Sequence, residues 1–198
     1  MLVVVSDPEM QVGEADMINE LFLRGMEIFH LRKPGSKREE MESIVMQIES
    51  RYHGRMVLHQ HRELTPGSSV RRHYSEMERK MNHDAEWRKM KTNGMILSTS
   101  IHKIKDADDL FPFFDYAFLG PVFDSISKSD YRSTIRQDLK LEKQQTKLIA
   151  IGGISISNVE KTFAMGFDGI AVCGAIWRSG SPVKMFTEIQ KECSLHGQ

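Results

Sequence analysis

The sequence predicts an α/β fold, a (β/α)8 TIM barrel of minimal size formed by residues 1–198 as a single domain. Short apolar runs, many of them β-branched, recur along the chain, and segments with helical spacing lie between most of them. One run and the helical segment beside it have the length of a strand–helix unit. A doubly wound open sheet is the alternative arrangement of the same units.

Seven apolar runs are predicted to be buried parallel strands, because such strands lack polar alternation when helices cover both faces of their sheet. The interval between Leu58 and Met95 is too long for one unit, and Val70–Tyr74 is the only candidate for a missing strand there. Counting it gives eight strands and leaves the third to fourth unit irregular. The seven runs are Leu2–Val5, Ile28–Leu31, Met56–Leu58, Met95–Leu97, Tyr116–Leu119, Leu148–Ile151 and Ile170–Val172.

Four segments are predicted to be helices, because their apolar residues recur at helical spacing. They are Glu14–Arg24, Lys37–Ser50, Asn158–Met165 and Val183–Lys191. Gly25 and Gly166 follow the first and third of them, as is typical of a helix end. In the polar stretch Arg62–Asn93, two further amphipathic helices are predicted at Glu76–Met81 and Ala85–Met90.

Charge and composition exclude several classes of protein. Lys and Arg total 27 and Asp and Glu total 27, so we expect no nucleic-acid partner, which usually requires an excess of base. The apolar runs fall far short of the roughly 20 residues that cross a bilayer, so we expect no membrane span. The amino end lacks the features of an export signal, so we expect a cytoplasmic protein. Cys173 and Cys193 are too few for a disulfide scaffold, and reduced thiols are expected.

Glycines follow the last two predicted strands, at the end of the barrel where functional groups gather. Gly152 and Gly153 come after the seventh strand, and Cys173 and Gly174 come after the eighth. Glycines let backbone amides turn outward, and the amino end of a following helix adds partial positive charge, so an anion can bind there. The alternative is that the glycines only permit tight strand-to-helix turns. Their occurrence in consecutive units favours a phosphate site.

Two cations are candidates to accompany this phosphate site. Lys128 and Arg32 have the chemistry to hold a diphosphate or to stabilise its departure. Ser125 and Ser127 flank the lysine with hydroxyls that suit phosphate oxygens. The alternative for either cation is an ordinary surface charge.

Histidines near the ends of the third and fifth strands raise a metal alternative. His59 and His61 are two residues apart, which on a strand would place both side chains on one face. His102 and Glu63 would complete a cluster of the kind that a metal-dependent hydrolase uses. A histidine at a strand end is more often a hydrogen-bonding wall residue, and no aspartate follows the eighth strand, so the metal-dependent hydrolase stays an alternative function and none of these residues is assigned as a metal ligand.

Five motifs, in order, resemble those of the thiamine phosphate synthase and TenI superfamily. They are His30-Leu-Arg-Lys33, Ser100-Ile-His102, Asp115-Tyr116 with Gly120-Pro-Val-Phe123 and Ser125-Ile-Ser-Lys128, Ile151-Gly-Gly-Ile154, and Asp168-Gly-Ile-Ala-Val172. The resemblance implies a (β/α)8 barrel that couples hydroxymethylpyrimidine diphosphate to thiazole phosphate. It also implies a phosphorylated small molecule as partner and Mg²⁺ as cofactor, and it leaves a homo-oligomer open.

The resemblance implies roles for individual residues. Lys128, Ser125, Ser127 and Arg32 would hold the diphosphate, Ser100 would line the pyrimidine side, and Gly153, Cys173 and Gly174 would bind the thiazole phosphate. Lys128, Arg32 and His102 are the predicted catalytic residues. The predicted binding residues are His30, Lys33, His59, Ser100, Ser125, Ser127, Gly152, Gly153, Cys173 and Gly174.

The chain departs from the synthase pattern after the second and third strands. Gln-x-Arg-x-Lys is replaced by a segment that runs from His30 to Pro34, with Lys33 displaced by one position. Asn-Asp after the third strand aligns with His59 and Gln60. A hard cation prefers oxygen ligands, so these replacements bear directly on a magnesium-dependent reaction.

Two further positions bear on the predicted activity. Glu78 is the acidic residue available as a magnesium ligand after the fourth strand, and Pro121 stands where TenI-type tautomerases have a histidine. The paired glycine turns and the Ser125-Ile-Ser-Lys128 loop still favour a transferase, with two alternatives inside the superfamily. These are a TenI-like thiazole phosphate tautomerase and a non-catalytic binder of thiazole or thiamine phosphate.

Overall fold

A computed structural model describes residues 1–64, 70–124, 133, 135–136 and 138–197. Within them, eight parallel strands form one sheet in the order β3-β2-β1-β8-β7-β6-β5-β4, which makes a nearly closed barrel. The predicted (β/α)8 barrel is confirmed, and the open doubly wound sheet is wrong. The strands are β1 (Leu2–Val5), β2 (Ile28–Leu31), β3 (Met56–Leu58), β4 (Arg71–Tyr74), β5 (Ile96–Ile101), β6 (Tyr116–Leu119), β7 (Lys147–Ile151) and β8 (Gly169–Val172).

The predicted helices are confirmed, with shifted ends. Lys37–Ser50 was expected as one helix, but its α-helical part ends at Gln47 because residues Ser50–Arg55 form a separate 3₁₀ helix. The last helix continues past Lys191 to His196. The described α-helices are α1 (Glu14–Leu23), α2 (Arg38–Gln47), α3 (Glu76–Met81), α4 (Asp84–Thr92), α5 (Val159–Ala164), α6 (Gly174–Trp177) and α7 (Pro182–His196). Across the described part of the chain, every helix falls short of the length and apolar content that a bilayer crossing demands.

The strand that was expected between Leu58 and Met95, at Val70–Tyr74, is present as β4. It pairs in parallel with β5, with Arg71 opposite Ile96 and His73 opposite Ser98. Its two arginines do not prevent strand formation, since charged side chains are common on strands at the edge of a sheet. Residues 65–69, which precede β4, lie outside the described part of the chain.

Strand residues alternate between two apolar layers, one on each face of the sheet. The outer layer packs against the helices and includes Leu31, Ala117 and Phe186. The inner layer fills the barrel with Val3, Val5, Ile28, Val57, Tyr116, Phe118, Ile149 and Ala171. Buried polar side chains also occur on the strands, including His30, His73 and Ser98. The carboxyl ends of the neighbouring strands β2 to β6 are therefore where the interior becomes polar.

The barrel is not closed by backbone hydrogen bonds between β3 and β4 in the described residues. Side chains cross this gap instead. Arg71 Nε donates to the carbonyl oxygen of Gly54 at 3.3 Å, and Arg62 Nη2 donates to the carbonyl oxygen of His73 at 2.7 Å.

Candidate functional site

Three histidines meet inside the barrel near the carboxyl ends of β2, β3 and β4, and we call His30, His59 and His73 the histidine triad. His30 lies on β2 and His73 on β4, each at a position of the strand alternation that faces the interior. His59 directly follows β3. His30 and His73 are only 0% and 2% exposed, whereas His59 is half-buried.

His30 lies at the centre of the triad and joins it to β6. Its Nδ1 lies 2.9 Å from Nε2 of His59, and its Nε2 lies 2.8 Å from the hydroxyl of Tyr116. The ring of Phe118 packs edge-on against His30 with a centroid separation of 4.8 Å. Both nitrogens of this buried imidazole therefore have partners, as a buried polar group requires.

His73 joins the triad to β5. Its Nδ1 lies 3.0 Å from Oγ of Ser98, and its Nε2 lies 3.1 Å from Oγ of Ser100. The rings of His59 and His73 are stacked, with centroids 4.2 Å apart and an interplanar angle of 23°. Because His59 follows β3 and His73 lies on β4, this stack spans the gap between the two strands.

Burial keeps the triad uncharged. The pKa of all three imidazoles is lowered well below 6.5, first because an imidazolium would lose its hydration inside the barrel. Neighbouring charge acts in the same direction, both between the rings and from Arg32, Arg62 and Arg71. Burial also raises the pKa of Tyr116 to about 12. At neutral pH the interior thus contains neutral imidazoles and a protonated phenol.

A cavity of about 520 Å³ borders the triad at His59 and is otherwise lined by polar residues. These are Gln60, His61, Arg62, Glu63, Arg72 and Glu78. A second cavity, of about 390 Å³, is lined by Met1, Leu2 and residues of α7, so it lies at the amino ends of the strands. In barrels of this class the functional groups gather at the carboxyl ends, and the first cavity is therefore the candidate substrate cavity.

Arg62 and Glu78 form an ion pair on the wall of this cavity. Arg62 Nη2 donates to Glu78 Oε1 at 2.7 Å, and the guanidinium lies 4.7 Å from the ring centroid of Tyr74. Burial alone would raise the pKa of Glu78, but hydrogen bonds from Ser75 and Arg62 outweigh it and hold that pKa below 4.5. The carboxylate is therefore charged and already committed to protein partners.

The cluster of His59, His61 and His102 expected for a metal-dependent hydrolase is not what the chain assembles. His59 and His61 do not share a strand face, because β3 ends at Leu58 and His61 adopts a left-handed backbone with φ of 49°. His61 lies 3.8 Å from Glu63, and His102 Nδ1 lies 2.7 Å from Glu76 Oε2. Among the residues that the structure describes, the three histidines that come together are His30, His59 and His73. His30 and His73 thus accompany His59, instead of His61 and His102.

Lys33 and Arg32 occupy opposite environments. Lys33 is buried, and its ammonium contacts the Glu14 carboxylate at 2.6 Å and donates to the carbonyl of Glu9 at 2.6 Å. A substrate-binding role for Lys33 stays a prediction, and it would require this ion pair to open. Arg32 is exposed next to the triad, and its guanidinium has no hydrogen-bond partner within the described residues. An anion-binding role for Arg32 stays a prediction.

Gly152 and Gly153 have positive φ values of 95° and 65°, which only glycine adopts without strain. A Cβ at Gly152 would lie 2.7 Å from Pro121, and one at Gly153 would lie 2.6 Å from the carbonyl oxygen of Phe123. The two glycines therefore permit a close approach of the loop after β6 as well as a tight turn. β7 and β8 pair side by side, with Ile151 opposite Ala171, so the predicted phosphate loops emerge next to each other.

Other predicted binding residues have mixed outcomes. Gly174 begins α6, and Cys173 directly after β8 places its Sγ 3.3 Å from the carbonyl oxygen of Ser6. Their binding roles stay predictions. Ser125, Ser127 and Lys128 lie outside the described residues, so their positions carry no argument about the site.

The donors at the aligned magnesium positions do not suit Mg²⁺. His59 offers an imidazole that is part of the triad, and Gln60 Oε1 lies 3.4 Å from the backbone nitrogen of Lys33. Glu78 is held by Arg62. Mg²⁺ prefers several oxygen ligands in octahedral geometry, and these residues present one neutral nitrogen donor, one amide oxygen and one occupied carboxylate. The fit to the cofactor implied by the resemblance is therefore poor.

The site residues predicted from the sequence do not include His73 and Tyr116. The alternation of inward-facing and outward-facing residues along the strands could have identified them. Once β4 is placed at Arg71–Tyr74, His73 faces the interior with Ser98 beside it on β5, and Tyr116 falls on the same side of β6. A polar residue at an interior strand position needs a partner, and His73 pairs with Ser98 while Tyr116 pairs with His30.

Curated relatives are similar to part of the chain. A thiamine-phosphate synthase from Anoxybacillus flavithermus is 33% identical over 88 residues, which cover 42% of this chain and 41% of the relative. One from Pyrococcus abyssi is 30% identical over 100 residues, covering 49% of this chain and 48% of the relative. The matched region thus spans less than half the length of each relative.

Solved structures share the fold over the whole chain. Thiamine phosphate pyrophosphorylase from Pyrococcus furiosus has a TM-score of 0.77 at 20% identity, covering 98% of this chain and 95% of the other. The protein of the same name from Bacteroides thetaiotaomicron has a TM-score of 0.72 at 22% identity, covering 100% and 99%. A family model described as thiamine monophosphate synthase matches residues 2–176, which contain all eight strands. The chain belongs to this thiamine monophosphate synthase family, TMP-TENI.

Proposed function

We propose that the chain binds thiazole phosphate at the carboxyl end of the barrel and couples it to hydroxymethylpyrimidine diphosphate. The observation that carries this proposal is the family match over residues 2–176, which includes every strand end. Polar groups from β2 to β6 and a cavity of about 520 Å³ at that end support it. The phosphorylated substrates are consistent with an arginine-lined cavity and with paired glycine turns after β7 and β8.

The reaction asks the protein mainly for charge stabilisation. The carbon–oxygen bond to the diphosphate breaks, and the departing diphosphate keeps the electron pair. The thiazole nitrogen then forms a bond to the pyrimidine methylene carbon. Positive groups fixed next to the departing oxygens lower the barrier of such a step. We assign this role to Arg32, which is exposed near the triad, and to Lys128 with Ser125 and Ser127.

The phosphate of the thiazole is assigned to the loops after β7 and β8. Gly152 and Gly153 follow β7 with positive φ values, and Gly174 begins the short helix after β8. Backbone amides in such turns bind phosphate oxygens without a basic side chain. The zero formal net charge of the chain fits a site built in this way.

A second candidate function is proton transfer on a thiazole phosphate, as in a TenI-like tautomerase. The observation that favours it is the pairing of His102 with Glu76 after β5, at 2.7 Å between Nδ1 and Oε2. The carboxylate orients an exposed imidazole, which is the arrangement of a general base. Hydrogen bonds from Lys80 and His102 lower the pKa of Glu76 to about 2, so this carboxylate is charged throughout the neutral range.

The test is to mix the purified protein with both substrates, with and without Mg²⁺, and to measure thiamine phosphate. Calorimetry with thiazole phosphate alone measures binding separately. Lys128→Ala is expected to lower the rate about 100-fold while leaving thiazole phosphate affinity unchanged. The exposed Lys143 provides the matched control, Lys143→Ala.

Each outcome identifies one function. Coupling that depends on Lys128 supports the transferase. Isomerisation of the thiazole phosphate that depends on His102 supports the tautomerase. Binding without turnover overturns both enzymatic proposals in favour of a binding protein. The absence of binding to any thiazole or thiamine phosphate overturns the proposed function altogether.

A further inference from the structure

We propose that the histidine triad binds a divalent transition metal ion such as Zn²⁺, Co²⁺ or Ni²⁺. One ligand atom from each of His30, His59 and His73 lies within 4.8 Å of the others. Among the described residues, these are the three side chains of metal-ligating type whose ligand atoms lie close enough to share one ion. The proposal concerns these three side chains alone, so it does not rest on the proposed function.

The donor set selects the class of metal. Three imidazole nitrogens suit Zn²⁺, Co²⁺ and Ni²⁺, whereas Mg²⁺ and Ca²⁺ prefer oxygen donors. Three protein ligands with one position left for another group is the arrangement of open zinc sites. Of the positions that align with the magnesium site of the family, His59 thus supplies a donor for a different class of ion.

The outer contacts of the triad already resemble those of metal-bound histidines. A ligating imidazole usually directs its other nitrogen to a hydrogen-bond partner that fixes the ring. His30 has such a partner in the Tyr116 hydroxyl at 2.8 Å, and His73 has one in Ser98 at 3.0 Å. With these contacts kept, Nδ1 of His30, Nε2 of His59 and Nε2 of His73 are the atoms left for the metal.

Metal binding requires a defined local change. Zinc–nitrogen bonds are about 2.0–2.1 Å long, so nitrogens that share a tetrahedral ion lie roughly 3.4 Å apart. His30 Nδ1 and His59 Nε2, now 2.9 Å apart, would separate slightly. His73 would tilt out of its stack with His59 and exchange the 3.1 Å contact with Ser100 for the metal.

Charge and access determine the remaining ligand. His59 borders the cavity of about 520 Å³, so an ion can reach the triad from the carboxyl end of the barrel. Arg32 and Arg62 lie close enough to act electrostatically on His59, and Arg62 is partly neutralised by Glu78. These arginines oppose an added dication, so the fourth ligand is expected to be an anion, such as hydroxide or phosphate, from the cavity.

The experiment titrates chelator-treated protein with Co²⁺ and follows the visible absorption of the bound ion, which reports nitrogen coordination. Calorimetry with Zn²⁺ gives the stoichiometry and affinity. The expected result is one ion per chain, displaced by Zn²⁺ and unaffected by an excess of Mg²⁺. Inorganic phosphate is expected to tighten binding by filling the fourth position.

Two variants test the ligand assignment. His59→Gln, at the half-buried member of the triad, is expected to weaken Zn²⁺ binding at least about 100-fold. Tyr116→Phe keeps all three imidazoles and is expected to weaken it about 10-fold through the lost contact with His30. His83→Gln changes an exposed histidine at the start of α4 and is the matched control. Circular dichroism checks that each variant is folded.

The proposal is overturned if Co²⁺ shows no saturable one-to-one binding, or if His59→Gln and His83→Gln bind Zn²⁺ equally well. Because these measurements use no thiazole or pyrimidine substrate, their failure leaves the proposed transferase intact. Conversely, loss of substrate binding in the earlier assays leaves the metal proposal standing.

Discussion

Acidification should destabilise this barrel through the histidine triad. In the unfolded chain each imidazole takes up a proton near pH 6.5, whereas in the folded chain the pKa of each triad member lies well below that value. Between these pKa values the unfolded state binds more protons than the folded state. The free energy of unfolding therefore has its full value above about pH 7.5 and falls as the pH decreases through 6.5.

The size of this effect follows from the number of buried rings. From pH 7.5 to 5.5, an imidazole that protonates only in the unfolded chain lowers the free energy of unfolding by about 1.4 kcal/mol. Three such rings lower it by up to about 4 kcal/mol if all of them stay neutral in the folded chain over this range. A domain of this kind has a total stability of about 5–15 kcal/mol, so the loss is large enough to measure.

The assay is guanidinium unfolding at half-unit pH steps from 7.5 to 5.5, in the presence of a chelator so that metal binding does not contribute. His59→Gln should reduce the pH-dependent loss by roughly one third, whereas His83→Gln should leave it unchanged. A free energy of unfolding that is constant over this range, or equally pH-dependent in both variants, would refute the claim that the triad is buried and neutral.

Three further predictions concern contacts outside the protonation of the triad, and each is measured by chemical unfolding. Tyr116→Phe should cost about 1 kcal/mol, because a buried ring loses its hydrogen bond, and a cost of zero would contradict that contact. Lys33→Met should cost about 3–5 kcal/mol by leaving the Glu14 carboxyl buried alone, and the added change Glu14→Leu should recover most of it. Gly152→Ala should cost at least about 2 kcal/mol through its positive φ and its contact with Pro121, whereas Gly180→Ala, with open space around it, should stay within about 0.5 kcal/mol.

Most strands were predictable because each one appears in the sequence as a short, continuous run of apolar residues. β1, β2, β3 and β6 lie where their apolar runs predicted them, since parallel strands covered on both faces tolerate few polar residues. β4 was predictable only from the rhythm of the units, because two of its four residues are arginines. Helix ends were less predictable, and the 3₁₀ helix Ser50–Arg55 shows why, since local hydrogen bonding there replaces the last turn expected for α2.

The site was predictable in its location but not in its composition. Strand ends pointed to His30 and His59, which the structure brings together, because the carboxyl ends of parallel strands meet at one end of a barrel. The spacing of two residues predicted that His59 and His61 would face the same side of a strand. The left-handed backbone conformation of His61 prevents this. His73 joined instead through the barrel's curvature, which brings β4 next to β3. Contacts between strands that are distant in sequence form only when the sheet curves into a barrel. The pattern of residue types along the chain does not show which side chains then meet.

The gap between β3 and β4 gives the imidazoles a mechanical as well as a chemical importance. Elsewhere in the sheet, backbone hydrogen bonds hold each strand to the next. Between β3 and β4, the stacked rings of His59 and His73 and the contacts of Arg62 and Arg71 connect the two strands instead. Whatever happens to those rings, whether protonation, substitution or coordination, is therefore transmitted directly to the backbone on both sides. Amide hydrogen exchange in Met56–Leu58 and Arg71–Tyr74 would register chemistry at the centre of the barrel as loosening or tightening of its wall.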